Sequence, residues 1–264
     1  MKQSITQYLV VLALIVGAYM LGTYKTKVEY LEKGVPTGQT QDNQVQPETK
    51  TVLTEADLDA VEKVFNDKEA LVFGDKNAKI KFVEFSDTSC PYCHIAGGVN
   101  PTLNKEAGER FTMVQDGGSY IPAVPEIKKL VTEGKAALAW LYTPGHGNGE
   151  MGTLALYCAN EKNRFWEAHD LLMSSEGYEL LNNTVKNDRA QAETLAGFLS
   201  PAVETGFMKE CLTSGKYDSR ISGDPTIASS LGFGATPTFF VNEQVIEGAV
   251  GWDEGFKAIV DSLL

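Results

Sequence analysis

Two thiols stand three residues apart in Cys90-Pro91-Tyr92-Cys93, directly after the strand-like run Lys79 to Ser86 and at a point where a helix can begin. A thiol at a helix N-terminus meets the partial positive charge of unpaired backbone N–H groups, which favours thiolate and lowers the pKa. The second cysteine is within reach of the first and can close a disulfide in one step. The spacing points to a redox centre with Cys90 as attacking sulfur and Cys93 as resolving thiol, because exchange proceeds through thiolate. Pro91 and Tyr92 set the donors and the solvent around the two sulfurs. Because His94 follows Cys93, the segment also fits C-x-x-C-H, the haem c attachment pattern, and Cys90, Cys93 and His94 together fit a metal-trafficking module. Of the other histidines, His169 reads as a packed helix residue and His146 as a loop residue.

The elements that must position this centre are legible from periodicity. Thr54 can cap a helix carrying Leu58, Val61 and Phe65 along one stripe. Ala70 to Phe73 and Ile80 to Phe85 read as strands, and Ala136 to Tyr142 as a further one. Gly97-Gly98 and Pro101 predict a short or kinked helix after Cys93, and the glycines and prolines of Asp116 to Pro125 predict a loop. A helical block follows: Met151 to Cys158, Phe165 to Met173, a third helix through Ala192, Leu195 and Leu199, and a fourth opened by Ser200-Pro201 through Phe207 and Cys211. Pro225 reads as an interruption of the helix expected before Leu231-Gly232. Thr238 to Val241 and Gln244 to Gly248 then form a hairpin, and a closing helix runs from Trp252 to Leu264.

With 264 residues, 43% of them hydrophobic, the chain can bury one domain of about 200 residues plus appendages. The net charge of −12 argues against a nucleic-acid partner. The uncharged segment Ile5 to Tyr24 would be about 30 Å long as a helix, enough to cross a bilayer core. Residues 1–33 are therefore read as a membrane anchor with its juxtamembrane segment, a cleaved signal peptide being the alternative. Residues 34–53, rich in Gln, Thr, Pro and Gly, are read as a flexible linker, and 54–264 as the folded domain.

The run Val83-Glu84-Phe85-Ser86-Asp87-Thr88-Ser89-Cys90-Pro91-Tyr92-Cys93 resembles the active-site segment of the DsbA-like thiol-disulfide oxidoreductases. Gly234-Ala235-Thr236-Pro237-Thr238-Phe239-Phe240 resembles that family's cis-proline loop, and Phe165 to Asp170 and Cys211 to Tyr217 match at the expected order and spacing. The resemblance implies an α/β, thioredoxin-like fold with an inserted α-helical subdomain at about 145–214, preceded by the anchor and linker. It implies that Pro237 is cis and that the backbone of Thr236 pairs with substrate beside Cys90. It further implies that Glu84 is a buried acid exchanging a proton with Cys93, where a salt-bridged glutamate on a half-exposed strand is the alternative. Cys158 and Cys211 are either two buried thiols or, as in some family members, a structural disulfide. The expected activity is that of a membrane-tethered, extracytoplasmic enzyme donating its Cys90–Cys93 disulfide to thiols of secreted or envelope proteins, with a reductase or isomerase as runner-up. A membrane redox partner would reset the cysteines, and the exchange itself needs no cofactor or metal.

Overall fold

A computed structural model describes residues 52–264. The anchor expected at 1–33 and all but the end of the expected linker lie outside the described residues. Among the described residues, no helix is long and apolar enough to cross a membrane.

The first helix, α1 (Glu55–Asn66), begins at a reciprocal cap: the Thr54 hydroxyl accepts from the Asp57 N–H at 3.3 Å, and the Thr54 N–H donates to the Asp57 carboxylate at 2.9 Å. The folded unit starts slightly before the expected boundary. Val52 bridges to Gln244, the Leu53 N–H donates to the Glu243 carbonyl at 2.8 Å, and Leu53 is buried.

Strands β1 (Leu71–Gly74), β2 (Ile80–Ser86), β3 (Ala136–Tyr142), β4 (Thr238–Val241) and β5 (Gln244–Glu247) form one sheet in the order β1-β3-β2-β4-β5. β2 and β3 run parallel, and every other pairing is antiparallel. Both faces of the centre are covered, so β3 reads as an apolar run rather than as a clean alternation, and β2 is buried at every position but Lys81. Val83, Phe85, Ala137, Ala139 and Leu141 pack on one face with Val61, Val64 and Phe65 of α1 and with Ala228 and Leu231. Phe82 and Leu138 face the other way, as do Trp140 and Tyr142 further along β3.

After β2 come two short helices, α2 (Pro91–Gly97) and α3 (Pro101–Glu106), separated by Gly98 in the left-handed region at φ 68°. A Cβ there would meet Pro122 at 2.5 Å, so glycine serves both the turn and the close approach. The expected loop Asp116–Pro125 stops at Pro122, where α4 (Ala123–Thr132) begins. Pro125 lies in the first turn of α4, where backbone N–H groups have no intrahelical partner and a proline removes nothing.

The helical subdomain between β3 and β4 comprises α5 (Glu150–Asn160), α6 (Phe165–Leu172), α7 (Ser175–Glu179), α8 (Ala192–Phe198) and α9 (Thr205–Thr213), then α10 (Asp218–Ser230), which returns to the sheet. Two expectations need correction. Ser200-Pro201 forms a turn, and α9 starts at Thr205 because the Glu204 carboxylate accepts from the N–H groups of Gly206 and Phe207, both at 2.7 Å. Pro225 does not interrupt α10, which runs through it. Contacts of fully buried Asp224 hold the helix there: it accepts from the Tyr157 hydroxyl of α5 and lies 2.7 Å from Arg220 one turn back in α10. The expected closing helix divides into a π-turn, Trp252–Phe256, and α11 (Lys257–Leu263).

Candidate functional site

β2 ends at Ser86, and the chain turns through Asp87-Thr88-Ser89 into Cys90, the N-cap of α2 with Pro91 at the first helical position. Asp87 clasps this turn. One carboxylate oxygen accepts from the Ser89 N–H and hydroxyl, both at 2.7 Å, and the other from the N–H groups of Gly145 and His146 at 2.7 and 2.8 Å. The loop 143–149 is thereby fastened beside the cysteines. Opposite them stands the Thr236-Pro237 peptide bond, which is cis. The Cys90 thiol donates to the Thr236 carbonyl at 3.4 Å. Gly145 passes so close that a Cβ on it would fall 1.8 Å from the Thr236 hydroxyl oxygen. Met173, just beyond α6, packs against both cysteines. Tyr92 is 51% exposed, with its ring edge-on to Phe111 at 6.1 Å.

Cys90 and Cys93 are free thiols with opposed acidities. The Cys93 thiol hydrogen-bonded to the Cys90 sulfur pulls Cys90 down to about 6; burial opposes this, and the Thr236 side chain and the N–H groups of Cys93 and Tyr92 assist. Burial, and then the Cys90 sulfur, push Cys93 well above the ordinary thiol value, although the Asp87 N–H donates to it at 3.4 Å. The arrangement can perform thiol–disulfide exchange with a low-pKa sulfur at the helix start, 4% exposed, and a more deeply buried protonated one.

Glu84 is 1% exposed and points into the same interior as Phe82. Burial raises its pKa, with His169 and Ser86 opposing. The alternative of a half-exposed, salt-bridged glutamate is overturned by this burial. His94 is fully buried, its Nδ1 2.9 Å from the Met173 carbonyl and its Nε2 2.9 Å from the Thr88 carbonyl. Burial takes its pKa down to about 4 against the pull of those carbonyls. With its ring buried between two backbone carbonyls, to one of which the neutral imidazole donates, His94 is not presented as a ligand beside Cys90 and Cys93, and among the described residues no cluster of metal-ligating side chains occurs.

Cys158 on α5 and Cys211 on α9 are disulfide-bonded, their Cα atoms 6.0 Å apart. Cys158 is fully buried, whereas the Cys211 sulfur lies 3.6 Å from the Glu161 carboxylate, which accepts from Lys216 and Tyr217, both at 2.8 Å. His146 lies on the exposed loop, joined to the site only through its backbone.

The thioredoxin family model matches residues 125–262, which include the helical subdomain and the Thr236-Pro237 loop. The chain belongs to the thioredoxin family. It is 24% identical over 209 residues to disulfide bond formation protein D of Bacillus subtilis (strain 168), covering 76% of this chain and 80% of that one. It is 26% identical over 174 residues to the Na(+)/H(+) antiporter NhaA 3 of Salinispora tropica, covering 65% of this chain but only 21% of that much longer protein. Oxidised BdbD from Bacillus subtilis superposes with a TM-score of 0.54 at 19% identity, over 83% of this chain and 98% of that one. The fold is that of the DsbA-like thiol-disulfide oxidoreductases, as the resemblance in the sequence implies.

Several residues of the site carried no sequence signal. Asp87 looks like any turn aspartate until both oxygens are seen to be filled. Met173 and His169 read only as an apolar helix face. Ser86 could have been found by parity alone, since it shares a strand face with Glu84.

Proposed function

We propose that this protein is an extracytoplasmic thiol-disulfide oxidoreductase, tethered to a membrane by residues 1–33, whose Cys90–Cys93 disulfide oxidises thiols of secreted or envelope proteins. The observation that carries this reading is the opposed acidity of the pair, with Cys90 at about 6 and Cys93 well above its ordinary value. A substrate thiolate attacks the Cys90 sulfur, the Cys90–Cys93 bond breaks, and Cys93 leaves with the electron pair and takes up a proton. A second substrate thiol then attacks the substrate sulfur of the mixed disulfide, and Cys90 leaves as a stable thiolate. A leaving group of low pKa makes that step fast and favours the reduced enzyme, which is the property of an oxidant. Glu84 holds or gives the proton that Cys93 exchanges, and the backbone of Thr236, next to Pro237, pairs with the extended substrate. Pro91 starts the helix that stabilises the thiolate, and Tyr92 lies on the face that substrate approaches. A membrane redox partner withdraws the electrons. The Ile5–Tyr24 segment is the feature that supports tethering.

The test is a redox titration of the full chain against glutathione buffers with thiol trapping. A potential well above thioredoxin's, about −270 mV, and near or beyond that of protein disulfide isomerase, about −180 mV, supports the oxidase. A value as low as thioredoxin's makes the protein a reductase instead. Fractionation of cells making the full chain and a chain lacking residues 1–33 tests the tether, since only the former should sediment with membranes.

A further inference from the structure

Ser89 directly precedes Cys90 and is fully buried, and three segments of the chain share its polar groups. Its N–H and hydroxyl donate to Asp87, its hydroxyl oxygen accepts from the Asn148 N–H at 3.1 Å, and its carbonyl accepts from the Asn182 amide at 3.1 Å. That carbonyl lies in the same rigid peptide plane as the Cys90 N–H, which donates to the Asp87 carbonyl at 3.0 Å. Holding the plane fixes the direction in which the Cys90 side chain leaves the backbone. Asn182 reaches it from the helical subdomain, 93 residues further along the chain. There α7 runs on into a π-turn, Leu180–Val185, followed by Lys186 and Asn187, whose φ angles of 44° and 61° lie in the left-handed region that side chains disfavour. A π-turn shifts side chains out of α-helical register, and such turns occur mostly at functional sites. Both N–H groups of the Asn182 amide are engaged, one on the Ser89 carbonyl and the other on the Tyr178 carbonyl at 3.2 Å, while its oxygen accepts from the Asn148 amide at 3.2 Å. The two carbonyls fix which end of the amide is the nitrogen. Asn187 ties down the same loop, accepting from the Met151 N–H at 3.3 Å and donating to the Gly147 carbonyl at 2.9 Å. Asn182 thus joins three parts: the subdomain, the loop 143–149 and the turn that carries Cys90.

We propose that Asn182 is a positioning residue for Cys90: its amide, supplied by the helical insertion, holds the Ser89–Cys90 peptide plane in the orientation that turns the Cys90 sulfur toward the N–H groups of Tyr92 and Cys93. This rests on the exchange reading above. The thiolate depends on that orientation more than the thiol does, because fixed N–H groups stabilise a charged sulfur strongly and a neutral one weakly. A plane released from Asn182 therefore weakens the thiolate and makes Cys90 a poorer leaving group. The titratable groups around the sulfur are Cys93 beside it, Asp87 and His94 in the turn and α2, Tyr178 of α7 with Glu179 next to it, and His146 on the loop. The cis-proline loop and the end of α6 present Thr236 and Met173, which do not titrate. Asn182 is uncharged, so it acts through orientation and not by adding a charge to this set. The helical insertion on this account sets the reactivity of a sulfur that the thioredoxin-like core carries.

The test follows alkylation of Cys90 by iodoacetamide in the reduced full chain across pH, read by mass, beside urea unfolding of the same variants. Asn182→Ala removes the donor from the Ser89 carbonyl, and its alkylation midpoint should lie about half a pH unit above wild type, about a threefold change in the ionisation constant. Asn183→Ala changes an exposed neighbour on the same π-turn that bonds Glu179, and it should keep the wild-type midpoint. Asn148→Ala leaves the Asn148 N–H on Ser89 but frees the oxygen side of the Asn182 amide. Its midpoint should rise by less than that of Asn182→Ala, and the double variant should rise no further than Asn182→Ala alone, because both act through one bond. If Asn182→Ala does not fold, Asn148→Ala decides by the same comparison with Asn183→Ala. A loss of urea stability with a midpoint that superimposes on wild type would mean that the amide only docks the subdomain, and would overturn the inference while leaving exchange intact. An equal rise in Asn183→Ala would overturn it as well. A wild-type midpoint at the ordinary thiol value would overturn the exchange reading together with it.

Discussion

The depressed acidity of Cys90 makes the stability of the reduced protein depend on pH in a way the oxidised protein cannot share. The folded-state value of about 6 lies below the ordinary 9.0, which serves as the reference for the unfolded chain. A depressed value stabilises the fold only where the thiolate forms, so the contribution is complete above 9.0 and is lost as pH falls through about 6. Worked through the linkage relation, it is negligible at about pH 5, about 1 kcal/mol at about pH 7 and about 3 kcal/mol at about pH 8. Thiolate would make up about 90% of Cys90 at about pH 7, against about 1% for an unperturbed thiol. For a two-electron couple, 1.4 kcal/mol corresponds to about 30 mV, in the oxidising direction. The assay is urea unfolding of the reduced protein at about pH 5 and about pH 8, with Cys90→Ala in the same reductant as reference. The wild type should gain about 3 kcal/mol more than the reference over that interval. Because the bond from Cys93 is the largest cause of the depression, Cys93→Ala should raise the Cys90 alkylation midpoint and shrink the gain. Equal pH dependence in wild type and Cys90→Ala would refute the electrostatic account of the site.

Joint replacement of Cys158 and Cys211 by alanine opens a loop spanning 53 residues and should cost about 4 kcal/mol in urea unfolding while leaving glutathione exchange at Cys90 in place. Arg220→Met strips fully buried Asp224 of its counter-charge and should destabilise by about 3–5 kcal/mol, measured the same way. Gly145→Ala would drive a Cβ into the Thr236 hydroxyl and displace it from Cys90, so the Cys90 alkylation midpoint should rise.

The chemistry was legible because it is local. Cys90 to Cys93 and the Thr236-Pro237 loop each occupy a few consecutive residues, and strand β3 follows from an unbroken apolar run that matches its observed limits. What could not be read depends on contacts remote in sequence. Pro125 predicts a loop by composition but falls in the first turn of a helix, where proline is harmless. Pro225 predicts a break, yet the Arg220–Asp224 pair within the helix and Tyr157 from outside it hold the helix together. The Glu204 cap went unread because glutamate is a minority choice for that position. Asp87 shows the same limit within the site: its four donors come from Ser89, Gly145 and His146, and no spacing rule links them.

The chain carries two disulfide-forming pairs in one fold, which raises the problem of keeping them apart. The Glu161 carboxylate beside the Cys211 sulfur is ionised: burial works against that, and Lys216 and Tyr217 hold it below the usual carboxylate range. An attacking thiolate that approaches Cys211 therefore meets the Glu161–Lys216 ion pair rather than a row of free N–H donors, and the other sulfur of that bond is sealed in the subdomain interior. At Cys90, by contrast, it meets N–H groups and a hydroxyl. On the proposed reading, this difference in surroundings directs exchange to the Cys90 sulfur and leaves the Cys158–Cys211 bond to the framework.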